Sequence, residues 1–451
     1  MIWRATAAHR RAVLAGTALA FVGALTRRLD LVVLAAPLLV AAAWGLATRP
    51  QGHPAARTNV DRLVAYEGET VLWQAFITAP PGAEDVALLV SEDPYLAGAH
   101  SRARLVAGPG VADPPETIGV DIDLVALRWG PRRAGPALVA TTSALGAFRW
   151  APGQFPEVTI SVLPRKLPLT VKATMPHPIG VVGLNPSSRP GEGTEFAGLR
   201  AYQMGDRLRH IHWPATARAG TIQVTTTRAD QDTEVLLVLD AHHDIGHSGG
   251  VGGAASSLDR GVRGATALAE HYLRRGDRVG LIVLGAAHAD PVPVRSGRAH
   301  LHRILDTIAT IQPGSSIPRA DRSVRRYLAT RLRPDAVVIV LTPGISDDAL
   351  TEALTMRRNG ITVLIVDCLP PAMALARIGL DDLHAVAPTF HRRDREVTRL
   401  AWRLRMLERT ERLNTLRTNG IAIVPWSGGA SLEQVLRQLR RNARAPRLAR
   451  R

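Results

Sequence analysis

Two uncharged apolar runs, residues 12–26 and 31–48, are separated only by Arg27, Arg28, Leu29 and Asp30, and they constrain this chain more than any other feature. A bilayer core about 30 Å thick takes about 20 helical residues. Both runs are slightly short, but arginines at their flanks can snorkel to the interface. Apolar runs joined by a tight polar link predict a membrane helical hairpin within residues 1–54. The other reading is a signal peptide, with Arg10 and Arg11 as its basic start and residues 12–25 as its apolar core. The second run would still anchor the chain. Arg4, Arg10 and Arg11 precede the hairpin and Arg49, Arg57 and Arg62 follow it, whereas the link pairs Arg27 and Arg28 with Asp30. The excess on the outer flanks places both in the cytoplasm. A two-pass protein of the cell membrane with cytoplasmic soluble domains is expected.

The 451 residues are 46% hydrophobic and 21% charged, which excludes a disordered or collagen-like chain. A lone cysteine, Cys368, excludes an intrachain disulfide framework and a cysteine-based zinc site. The formal charge is +17, yet all but two of the 56 basic residues are arginine. That resembles GC-rich coding bias, and the charges are spread through every segment with few aromatics between them. Nucleic acid therefore ranks last among partners. Neither Lys166 nor Lys172 lies in a Gly-x-x-x-x-Gly-Lys-Ser/Thr loop, so the chain is not itself a P-loop ATPase.

Residues 55–165 alternate apolar and polar: Val71, Trp73, Ala75 and Ile77; Val120, Ile122 and Leu124; Val158, Ile160 and Val162. Pro-Gly turns punctuate them, predicting a small antiparallel β-sandwich. Residues 233–443 change to strand–helix–strand. Strands are expected at 234–239, 278–284, 336–341, 361–366 and 421–425. Helices are expected at 258–275, 299–311, 319–332, 393–418 and 432–441. Continuous apolar strands covered on both faces define a doubly wound α/β domain. A basic tail, 444–451, follows.

Between these domains, residues 166–232 hold the least ordinary stretch. Gly193, Glu195, Phe196, Leu199, Arg200, Tyr202, Gly205, Asp206, Arg209, Ile211, Trp213, Ala217 and Arg218 resemble the signature of the bacterial domain-of-unknown-function 58 family. The resemblance implies a von Willebrand factor type A-like α/β domain. It also implies association with MoxR-type AAA+ ATPases, and often with transglutaminase-like membrane proteins. Read from the residues alone, Asp206 is placed to cap a helical turn. The mixed charges suit bidentate ion pairs, and Trp213 and Phe196 can anchor the segment on the α/β core. Internal stitching and partner recognition weigh equally, with recognition assigned to Arg200 and Arg209.

Type A domains that bind Mg²⁺ use an Asp-x-Ser-x-Ser run after the first strand and a Thr and an Asp from later loops. Here the run is Asp240, Ala241, His242, His243 and Asp244, and the later turn starts at Thr342. The strand-end positions remain while the serines are gone, so no metal or other cofactor is expected. His210 and His212 would share one face of a strand and, with Asp206 and Glu195, would make a metal-dependent hydrolase the alternative to a non-enzymatic adaptor. Ser248 fits Gly-x-Ser-x-Gly, but lies too far beyond the strand for a nucleophile elbow.

Overall fold

A computed structural model describes residues 3–90, 93–98, 104–107, 117–165, 186–204, 206–230, 234–286, 290–311, 336–374, 395–426 and 428. The chain divides into two compact units, Met1–Leu163 and Pro164–Arg451.

In the first unit, α1 (Ala7–Thr26) and α2 (Leu29–Ala47) form an antiparallel helical hairpin. Arg27 makes the reversal with a left-handed backbone, φ 53°. Gly16 faces Leu39 and Gly23 faces Val32, and a Cβ on either glycine would lie about 3 Å from those side chains. Leu14, Phe21, Leu25, Val33, Leu34 and Val40 point outward, an apolar surface that a soluble hairpin would bury. α2 is long and apolar enough to cross a membrane. In α1 the opening His9, Arg10 and Arg11 dilute the apolar run.

The hairpin grows directly out of a β-structure. β1 (Trp3–Ala5), just ahead of α1, pairs antiparallel with β11 (Phe148–Phe155). The sequence reading puts residues 1–54 wholly in the hairpin, because three alternating residues are too few to announce a strand. The remaining strands are β2 (Ala55–Val60), β3 (Val64–Tyr66), β4 (Thr70–Thr78), β5 (Ala83–Val90), β6 (Leu96–Gly98), β7 (Arg104–Ala107), β8 (Thr117–Ala126), β9 (Gly130–Ala134), β10 (Ala137–Ser143) and β12 (Val158–Leu163). They form sheets ordered β1-β11-β10-β5-β7, β2-β4-β8-β6 and β3-β12-β9. One core joins all three, with Trp73, Ile77, Leu88, Val139 and Ile160 buried. In register, Val71 faces Leu124 and Trp73 faces Ile122, so the alternation marks the inward side. The expected all-antiparallel arrangement differs at one place: β3 and β12 run parallel.

In the second unit, β13 (Pro186–Ala201) pairs antiparallel with β14 (Gln223–Asp230) as a separate ribbon. The main sheet runs β17-β16-β15-β18-β19-β20. Its strands are β15 (Glu234–Asp240), β16 (Arg278–Leu284), β17 (Val292–Arg295), β18 (Val337–Thr342), β19 (Thr362–Asp367) and β20 (Ala422–Pro425), all parallel except the edge strand β17. α6 (Asp347–Arg358) and α7 (Arg395–Thr418) cover one face through Ala353, Met356, Leu413 and Leu416. α4 (Ser257–Arg274) covers the other, its Gly261 against Leu239 and Gly264 against Leu341 and Trp426. α5 (Arg298–Ala309) follows β17. Strands buried on both faces read as continuous apolar runs, which is why they are plain in the sequence. The helices expected at 319–332 and 432–441 and the tail 444–451 lie outside the described residues.

Candidate functional site

Between β13 and β14 the chain folds into a turn, a 3-10 turn at Leu208–His210 and the short helix α3 (Trp213–Ala219). Arg200, paired with Val224 in the ribbon, donates from Nη1 to Asp206 Oδ2 at 2.7 Å and from Nη2 to Oδ1 at 2.5 Å. The Gln203 backbone N–H also donates to Asp206 Oδ2, at 2.8 Å. The Arg200 guanidinium, then that backbone N–H, holds the Asp206 carboxyl below the usual carboxylate range. Asp206 therefore closes the turn rather than capping a helix. Arg200, assigned to recognition from the sequence, makes this bidentate pair while its side chain stays 40% exposed.

The histidines do not share a strand face. His210 ends the 3-10 turn, and its Nε2 accepts from Arg209 Nε at 3.2 Å. His212 is the N-cap of α3, its Nδ1 accepting from Ala215 N at 3.1 Å. Trp213, expected as a buried anchor, is 67% exposed. α3 has only seven residues and buries none of them, so its aromatic is left in water. Met204 is fully exposed, Leu208 is 71% exposed, and Tyr202 is also on the surface. Arg209 and Arg218 are exposed beside them in sequence. Glu195 and Phe196 belong to β13 by backbone; their side chains, and Gly205, lie outside the described residues.

A second constellation sits at the carboxyl edge of the main sheet, where Asp240 ends β15 and Thr342 ends β18. Buried Asp240 accepts from Thr342 Oγ1 at 2.6 Å through Oδ2. Its Oδ1 accepts from the His242 backbone N–H at 3.2 Å and from His242 Nδ1 at 2.8 Å. Gly285, at φ 77°, makes room for His242, because a Cβ there would lie 2.5 Å from the His242 nitrogen. His242 Nε2 stands 3.8 Å from Asp348. Asp244 accepts from Leu258 N at the start of α4 at 3.1 Å. Both Asp240 oxygens accept hydrogen bonds, and the His242 imidazole lies against the carboxylate. Among the described residues no three His, Cys, Asp or Glu side chains converge as metal ligands.

Arginines of α7 fix the adjoining loop, a feature the sequence reading missed. Arg409 Nε donates to Pro343 O at 2.7 Å and Arg405 Nη2 to Ile345 O at 2.9 Å, while Arg409 pairs with Asp367 at 2.5 Å. The available signal is the four-residue spacing of Arg405 and Arg409, which places both on one helical face. Ser248 is buried in the loop after β15, its Oγ accepting from Gly250 N at 3.4 Å, and not on a strand-to-helix elbow.

A parallel α/β sheet preceded by an arginine-rich ribbon-and-helix element is the class of architecture defined here. Residues 198–402 match the family model described as "Protein of unknown function DUF58". That segment is similar to the family, as the signature residues suggest. The chain is also similar to uncharacterized proteins of Mycobacterium bovis and Mycobacterium tuberculosis, each 32% identical over 222 residues. The match covers 49% of this chain and 60% of each relative.

Proposed function

We propose that this protein is a membrane-anchored, non-enzymatic adaptor. Its second unit, taken as a von Willebrand factor type A-like domain, binds protein partners, foremost a MoxR-type AAA+ ATPase, with transglutaminase-like membrane proteins as further partners. The observation that carries this reading is the exposed set Tyr202, Met204, Leu208 and Trp213 next to Arg209 and Arg218. Aromatic, methionine and arginine side chains are the types that dominate protein interfaces. The closed Asp240 group supports a binding role over a hydrolytic one. The hydrolase alternative draws on Asp206, His210 and His212, each of which already serves Arg200, Arg209 or α3.

Two membrane passes fit the β1–β11 pairing. Residues 3–5 and the sandwich must share one side of a bilayer, so if α2 crosses, α1 crosses back. The arginine-rich outer flanks favour the cytoplasm for that side. Co-purification from native membranes tests the adaptor: an AAA+ ATPase should be recovered, and Trp213→Ala should reduce its recovery at least tenfold without lowering the melting temperature. Recovery of no AAA+ ATPase, with or without a non-hydrolysable ATP analogue, overturns the reading.

A further inference from the structure

The end of the first unit from which the hairpin emerges carries arginines that its own carboxylates do not neutralise. The β1–β11 register sets Arg4 directly opposite Arg149, both exposed. Like charges facing each other across strands oppose folding unless something negative lies between them. Arg10 and Arg11 lie exposed near the start of α1. Arg49 follows α2, its guanidinium 5.1 Å from the centre of the Phe148 ring. Among the described residues none of these five arginines forms an ion pair. Of the carboxylates nearby, Glu84 accepts from the Leu145 backbone N–H at 3.2 Å, and Asp85, separated from Arg149 by one strand in the same row, accepts from Thr142 Oγ1 at 3.1 Å.

Leu145 stands at the tip of the 3-10 turn Ala144–Gly146, 65% exposed and with a left-handed backbone, φ 55°. That conformation is costly for a side chain with a Cβ. The turn is held at the mouth of the hairpin: Thr6 Oγ1 donates to Gly146 O at 2.7 Å, and a Cβ on Gly45 of α2 would lie 2.5 Å from that of Ala147. An exposed leucine and unneutralised arginines at the end where a hairpin with an apolar exterior begins match the chemistry of a lipid headgroup layer.

We propose that this end of the sandwich is a collar for anionic phospholipid. Arg4 and Arg149 share one headgroup phosphate, Arg10, Arg11 and Arg49 face its neighbours, and Leu145 dips among the acyl chains. The inference rests on the membrane reading above, and the test separates the two. Carbonate extraction of native membranes comes first: release of the full chain into the supernatant defeats membrane insertion itself, and the collar with it.

For the retained chain, melting is compared in nanodiscs of phosphatidylcholine alone and of phosphatidylcholine with phosphatidylglycerol. The wild type should melt several degrees higher in the anionic discs. The double variant Arg4→Gln/Arg149→Gln should melt no lower than the wild type in the neutral discs, because a repulsion is removed, and should lose most of the anionic increment. Leu145→Ser should lose part of it. An equal increment in the double variant, no increment in the wild type, or a double variant that unfolds in neutral discs overturns the collar while leaving insertion intact.

Discussion

Asp206 closes the turn after β13 through the Arg200 guanidinium and the Gln203 N–H, where a helix cap is expected from the sequence. Its pKa is lowered by Arg200 and by the Gln203 N–H, so its contribution is present above the ordinary carboxylate pKa and is lost as pH falls through the lowered value. The protection factor of the Gln203 amide, the exchange rate of a free amide at the same pH divided by its own, should fall over that interval on acidification, and Asp206→Asn should show low protection already at neutral pH. Thr342 offers a buried counterpart. Thr342→Val removes the hydroxyl that donates to Asp240 Oδ2; stranding a buried carboxylate oxygen costs about 1–3 kcal/mol. Urea unfolding should register that loss. Cys368 is buried beside β19, and burial, followed by the Asp367 charge, pushes its thiol pKa up. A maleimide should leave it unmodified in the native protein at neutral pH and label it fully once urea has unfolded the second unit.

Elements long enough to show a period were legible, and short or irregular ones were not. β15, β16, β18 and β19 are continuous apolar runs, and α4 begins at a Ser256/Asp259 capping box, so each is visible within a residue or two. β17 has four residues and an edge position, and α6 presents only Ala349, Leu350, Ala353 and Met356 to the core, a stripe easily taken for loop. The signature residues were identifiable, but their geometry was not. Nothing in the spacing of His210 and His212 says that one ends a 3-10 turn and the other caps a helix. Glycines inside α4 follow from packing. The Gly264 Cα side abuts Leu341, whose Cδ2 would lie 2.8 Å from a Cβ. Gly264→Val should therefore cost about 1–3 kcal/mol through overpacking, seen as a lower urea midpoint.

At the scale of the whole molecule, orientation is the property most open to test. With the proposed two passes, a periplasm-type reporter fused after Arg451 should be inactive and a cytoplasmic one active. The opposite result would remove the ATPase from reach. The pairing of β1 with β11 also sets an order of events during synthesis. Trp3 leaves the ribosome first, but its neighbour Trp150 emerges only after both helices and the nine strands β2 to β10 have been made. If the hairpin inserts as proposed, β1 must wait, unpaired, while the helices seat themselves in the bilayer. β11 then closes the five-stranded sheet against β1, so on that proposal insertion comes before completion of the sandwich. A chain whose hairpin has failed to seat would keep the edge of β11 open to pairing with other chains, a natural handle for quality control.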